Sequence, residues 1–396
     1  MLPCLVPLLA FLCLLEQVVL ARPDSYAIWA ADSVIARGQS TGLDSSGNPK
    51  VIYDDGEFQL GLRRLYDRTG NEKYYSHLLK AANTIVSDSG ALPSSYKMSD
   101  YQLDPIRTGS TFLYLHEKTK QTKWKKAADT FRLQLDRQPR TGQGQFWHKQ
   151  VYPQQGWLDG IYMGDVFYAQ YTKLFQSTNA TAWSDIEKQY KLIYDNTLQA
   201  STDQNYIGLL YHGYDYSHKA SWASPDRGHS PEVWDRALGW YMMALVDILE
   251  FLPTSNSAYS TVVKILQGLV PPLVKAADPQ SGVWWLVMTQ PNRDKNYFES
   301  SGTAMFVYSL LKGIRLGYIK DNDGSVAAAA KKAYQYMTSN WVVEKSDGTM
   351  DWMNTVEVGS LSGAGNYDYY VSVNKKTNDL KGVAAFLLAS LEYEEL

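Results

Sequence analysis

Six times along the chain, a polar or acidic segment, usually carrying a glycine, runs into an apolar stretch. These are "YDDGEFQLGL" from Tyr53, "YQLDPIRTGSTFLYL" from Tyr101, "WLDGIYMGDVFYAQY" from Trp157, "PEVWDRALGWYMMAL" from Pro231, "YFESSGTAMFVYSLL" from Tyr297 and "TNDLKGVAAFLLASL" from Thr377. Within them Ala237, Tyr241, Ala244, Leu245, Ile248 and Leu252 form one stripe, and Phe306, Leu310, Leu311 and Ile314 another. Recurrence at this spacing marks a helix. Six further helical stretches lie between, over 24–37, 72–87, 122–137, 182–199, 257–276 and 325–340. They are charged on one face and apolar on the other, as helices covering a core are. No convincing series of strands accompanies them. The alternation predicts an all-α fold, an (α/α)6 barrel of six inner helices within six outer ones. A helical solenoid also alternates, but its repeats keep a more regular period.

In such a ring the N-terminal ends of the inner helices crowd around one mouth. Acidic residues precede or begin all six: Asp55, Asp104, Asp159, Asp235, Glu299 and Asp379. Helix N-termini attract carboxylates through unsatisfied N–H groups and the positive dipole end, so capping accounts for most of them. If they share a cavity, the same residues make an acidic, aromatic-lined bowl. The chain has 29 Tyr and 12 Trp to line it, and a sugar suits such a bowl because its C–H faces stack on rings.

In "GWLDGIYMGD", residues 156–165, Asp159 sits among Trp157, Leu158, Ile161, Tyr162 and Met163. A buried carboxylate is costly unless it is paired, hydrogen-bonded or protonated. Asp159 is therefore either a helix cap or a general acid in a sugar pocket. As an acid, its reference pKa near ~3.9 has to be raised by the apolar surroundings. The densest polar-aromatic stretch is "YHGYDYSHKASWASPDRGHSPEVWDRALGWY", residues 211–241. Its His212, His218 and His229 lack the spacing of a helical zinc site, so no metal is expected. Arg236 and Trp240 lie four apart and share a helix face. Arg236 either pairs with a local acid such as Asp235 or holds a substrate carboxylate or hydroxyls beside a Trp platform. The chain has no nucleophile elbow, phosphate loop or dinucleotide fingerprint, which weighs against esterase, kinase and dehydrogenase chemistry. "SGTAM" and "SLSGAGN" are too generic to carry a role.

Residues 1–21 read as a signal peptide, an apolar run ending at Val19-Leu20-Ala21 and too short for a membrane span. Cys4 and Cys13 both lie in it, so a mature chain from Arg22 has no thiol, disulfide or Cys-ligated zinc. Residues 22–396, undivided by any linker, read as one catalytic domain that is secreted to the extracellular space. The Asn179-Ala-Thr181 sequon fits export. Net charge is −3, from 38 basic and 41 acidic residues, with no basic stripe. Neither nucleic acid nor a membrane surface is an expected partner, and a monomer is expected.

Taken together, "WLDGIYMG", "YHGYD", "GHSPEVWDRALGWY", "YFESSGTAMFVYSL" and "NDLKGVAAFLLA" resemble the unsaturated rhamnogalacturonyl hydrolases, glycoside hydrolase family 105. The likeness runs from about Asp24 to the C-terminus. It implies an (α/α)6 barrel, in agreement with the helix alternation, and no cofactor. It also implies a substrate: an oligosaccharide left by a pectate-type lyase, whose nonreducing uronic acid carries a C4=C5 double bond. The family hydrates that bond and leaves the anomeric carbon untouched. An Asp protonates C4, water adds at C5, and the resulting hemiketal opens to release the next sugar.

By this resemblance Asp159 is the catalytic acid and Asp104 the second acid. His212, Arg236, Trp240 and Trp234 contact substrate, and Tyr53, His148 and Met163 are further pocket residues. The Asp54-Asp55 pair departs from the family pattern beside Tyr53. Rival readings are a sister unsaturated glucuronyl hydrolase, an ordinary glycosidase on the same barrel, or a noncatalytic sugar-binding protein.

Overall fold

The computed structural model describes residues 24–396, so the leader expected over 1–21 lies outside the described residues. The inner helices are Tyr53–Thr69, Gly109–Thr119, a third in three segments, Asp235–Ile248, Ser300–Arg315 and Leu380–Tyr393. The third runs as Leu158–Gly160, a π-helical turn Ile161–Asp165, and Val166–Phe175. The outer helices are Tyr26–Ala36, Glu72–Ile85, Thr122–Arg137, Ala180–Thr197, Ser257–Lys275 and Ser325–Asn340. Each falls within a residue or two of its expected span.

The inner helices pack on one another in cyclic order, and the sixth packs back against the first. That closure makes a toroid of the alternation and rules out an open solenoid. The two sets differ in burial as their positions require. In the outer helix Glu72–Ile85 only the stripe Tyr74, Leu78, Ala81, Ala82 and Ile85 is buried. In the inner helix Asp235–Ile248 every residue is buried, because neighbours enclose it on all sides. Asn71, Asn179 and Asn256 cap outer helices through their side chains.

Three short antiparallel ribbons add to the helices: Gln155–Trp157 with Gly213–Asp215, Val342–Glu344 with Met350–Trp352, and Thr355–Val356 with Lys375–Lys376. The second inner helix starts later than its sequence cadence at Tyr101 suggests. Asp104–Thr108 forms a 3-10 turn, with Pro105 near its start, that leads into Gly109.

At the end of the barrel away from the mouth, Arg63, Arg64, Arg107, Lys312 and Arg315 surround a cavity of about 190 Å³. Inner-helix C-termini concentrate partial negative charge at this end, and cations there offset it. Arg64 and Arg315 both reach Glu392, at 2.5 and 2.7 Å. This cation cluster is part of the scaffold.

Candidate active site

Backbone pairing assembles the mouth from distant parts of the chain. The Leu103 N–H donates to the His148 carbonyl, the His148 N–H to the Gln155 carbonyl, and the Leu158 N–H to the His212 carbonyl. These links draw Asp104, His148, Asp159 and His212 together. Gly160 is required beside Asp159, since a Cβ there would sit 2.9 Å from Leu103 and 3.2 Å from His148 Nδ1. The π-helical turn follows at once, a form that recurs at functional sites.

The resulting cavity, about 130 Å³, is lined by Tyr53, Asp104, His148, Asp159, Met163, Trp234, Arg236 and Trp240, all singled out from sequence. Trp157, Lys149 and the segment Val358-Gly359-Ser360 complete it. Sequence reasoning missed Lys149, whose only signal was its place next to His148. It also passed over the stretch leading into "SLSGAGN", because a Gly/Ser-rich loop carries no pattern that announces a pocket wall. His212 is not part of the wall. It is fully enclosed and reaches Asp159 from behind.

Of the six acids at the inner-helix starts, only Asp104 and Asp159 line the cavity. Glu299 and Asp379 are side-chain N-caps, accepting from the N–H groups of Gly302 and Lys381. Asp55 accepts from the Gly42 N–H at 3.0 Å, and burial pushes its carboxyl up to about 7. Burial and the neighbouring Glu299 push Asp235 well above the usual range. Capping and burial thus account for four of the six.

Asp104 accepts from Lys149 Nζ at 2.5 Å, with His148 Nε2 3.5 Å away. His148 stacks on Trp157, with centroids 4.4 Å apart, and burial holds its imidazole down to about 4. It is neutral near pH 7. Asp159 differs from the sequence expectation. Burial does push its carboxyl upward, but His212, with Nε2 3.0 Å from Oδ2, and His148 pull it net below the ordinary value. The apolar nest supplies the desolvation, and the imidazole behind it outweighs that effect.

The floor and far wall are aromatic. Trp240 stacks on Tyr162 at 5.2 Å and meets Tyr53 edge-on at 6.2 Å. Arg107 sits 4.1 Å from the Tyr162 ring and pairs with Glu57 at 3.0 Å. Arg236 leans on Trp234, 5.3 Å from its ring. Its acid partner is Glu299, at 3.6 Å, while Asp235 lies alongside with its carboxyl pushed up. Arg236 Nε donates to Ser301 Oγ at 2.8 Å, and Nη1 and Nη2 donate to the carbonyls of Glu357 and Val356. Arg236 therefore clamps the segment that forms the pocket wall. A guanidinium has five N–H donors; three serve these partners and the second on Nη2 faces Glu299, which leaves one on Nη1 for a ligand.

Among the described residues, no group of three or more His, Cys, Asp or Glu side chains is placed to hold a metal ion. No helix among them is long and apolar enough to cross a membrane.

The sequence profile of Glycosyl Hydrolase Family 88 matches residues 30–396. A family 105 glycoside hydrolase of C. acetobutylicum ATCC 824 superposes with a TM-score of 0.87 at 36% identity, covering 94% of this chain and 100% of that one. An unsaturated 3S-rhamnoglycuronyl hydrolase of Alteromonas sp. (strain LOR) is 22% identical over 349 residues, 85% of this chain and 75% of its own length. The unsaturated glucuronyl hydrolase of Bacillus sp. GL1 shares the fold, with a TM-score of 0.65 at 14% identity over 93% of this chain and 95% of that one. With its closed ring of paired helices and a family-wide match over nearly all its described residues, the chain belongs to the glycoside hydrolase 88/105 group and is a glycoside hydrolase of family 105.

Proposed function

We propose that the protein releases the unsaturated uronic acid from the nonreducing end of lyase-generated rhamnogalacturonan oligosaccharides by hydrating its C4=C5 bond. The observation that carries this reading is the position of Asp159. One carboxyl oxygen lies 3.0 Å from His212, and the group faces a pocket with Asp104, an aromatic floor and an arginine with a spare donor. Asp159 protonates C4, and the positive charge is shared between C5 and the ring oxygen. Water adds at C5 and returns its proton to Asp159, and the hemiketal opens to free the next sugar.

The free enzyme favours ionised Asp159, so the proton is taken up in the complex. A uronate bound beside Asp159 and Asp104 adds a like charge, which opposes ionisation. Turnover therefore declines as pH rises and the acid form is lost. Export with removal of residues 1–21 belongs to the same proposal and matches oligosaccharides that a lyase generates outside the cell.

The test follows loss of the ultraviolet absorbance of the unsaturated uronide. Turnover of an unsaturated galacturonyl-rhamnose disaccharide well above that of an unsaturated glucuronyl disaccharide supports the reading. The reverse preference assigns the protein to glucuronyl substrates, and binding without turnover makes it a sugar-binding protein. Asp159→Asn keeps the shape and most hydrogen-bonding capacity. It should lower turnover by about 10²–10⁴-fold with little change in stability or affinity. Near-normal turnover in that variant would refute the mechanism.

A further inference from the structure

His212 touches the pocket only through Asp159, yet each of its ring nitrogens faces a polar neighbour. Nε2 lies 3.0 Å from Asp159 Oδ2, and Nδ1 lies 2.6 Å from the Tyr370 hydroxyl. Tyr370 belongs to a short helix, Tyr367–Ser372, remote in sequence from both Asp159 and His212. It is 1% exposed and stacks on Trp234 with centroids 5.5 Å apart. Trp234 in turn meets the His212 ring at 5.0 Å. The phenol is therefore locked in place on both sides.

A neutral imidazole has one donor nitrogen and one acceptor, and the partner at one nitrogen decides the proton at the other. Burial pushes the Tyr370 phenol well above its ordinary range, so its O–H remains a donor. The groups facing the imidazole are Asp159, Tyr370, Trp234 and Trp157, with His148 beyond Trp157 and neutral near pH 7.

We propose that Tyr370 is a positioning residue for the proton chemistry of Asp159, donating its O–H to His212 Nδ1 and so fixing the tautomer that carries its proton on Nε2, beside Asp159 Oδ2. This rests on the reading of Asp159 as the acid. Oδ2 is enclosed, with Nε2 3.0 Å away, so the proton exchanged with substrate rides on Oδ1. In the opposite tautomer Nε2 becomes an acceptor. Protonated Asp159 then donates to it, and the acidic proton turns away from the pocket.

Tyr370→Phe removes the donor and keeps the ring stacked on Trp234. Protein labelled with ¹⁵N in its histidine rings reports the tautomer, with His212→Gln assigning the signal among the six histidines of the chain. The wild type should show His212 protonated at Nε2, and Tyr370→Phe should populate the Nδ1–H form. Turnover of an unsaturated disaccharide should fall about 10–100-fold, the usual worth of a partner that orients a functional histidine. KM should stay within about two-fold, since substrate contacts remain. A wild-type signal from the Nδ1–H tautomer overturns the proposal. So does a Tyr370→Phe variant with unchanged tautomer and unchanged kcat. The tautomer is read without substrate, so a wild type inactive on all unsaturated uronides counts against the proposed function while the spectrum still decides the role of Tyr370.

Discussion

Lys312→Met tests the scaffold beneath the pocket. Lys312 and Asp247 are each 4% exposed, with Nζ 2.6 Å from Oδ1. The Tyr308 hydroxyl donates to the same oxygen at 2.7 Å, and the Tyr162 hydroxyl to Oδ2 at 3.4 Å. Tyr162 carries Trp240 on its face, so this pair underlies the pocket floor. Methionine keeps most of the apolar stem and removes the charge, leaving a buried carboxylate. Breaking a buried pair costs about 3–5 kcal/mol, and the two phenols that remain place the expected loss near the lower end, about 3 kcal/mol at pH 7.

The pH dependence follows from Asp247. Burial pushes its carboxyl up, but Lys312 and Arg107 bring it net below the ordinary value. A depressed folded pKa gives stability that is present above the unfolded value, near ~3.9, and is lost as pH falls through the folded one. The penalty of Lys312→Met should therefore be largest near neutrality and shrink below about pH 4. Urea unfolding followed by tryptophan fluorescence at both pH values measures it. Lys312→Met with Asp247→Leu should recover only part of the loss, because the apolar pair removes the buried charge but leaves the Tyr308 and Tyr162 hydroxyls without their acceptor. A loss under about 1 kcal/mol at pH 7, or one independent of pH, refutes the argument.

Two further changes probe the mouth. Asp55, pushed up to about 7 by burial, costs stability as pH rises from its unfolded value through the folded one, and the cost persists above it. Asp55→Asn still accepts the Gly42 N–H, so it should stabilise by roughly 1–3 kcal/mol at pH 8 and by almost nothing near pH 4, as thermal or urea melts would show. At Gly302 a Cβ would lie 2.4 Å from Asp235 Oδ2 and 2.9 Å from its backbone carbon. Gly302→Ala should cost about 1–3 kcal/mol by overpacking and raise KM by shifting Arg236, and unchanged values of both would disprove this close packing.

The sequence by itself determined the twelve helices, because each announces its buried face through local spacing that no distant contact needs to supply. It also singled out Asp159, Asp104, Arg236 and Trp240 as pocket candidates, because their residue types stand out in short segments at inner-helix starts, and the fold brings all four to one cavity. Ring closure was decided only by the sixth inner helix packing on the first, a contact between the two ends of the chain. The fate of the six acids was likewise tertiary. Asp235 and Asp159 both begin inner helices, yet one is pushed up beside Glu299 and the other is drawn down by His212. Tyr370 and the wall segment 358–360 left no trace in the sequence, because their roles come from what folds against them. Periodicity along a chain reports which face is buried. The protonation of a buried acid depends on charges brought beside it from residues far away in sequence, and only the folded structure specifies those.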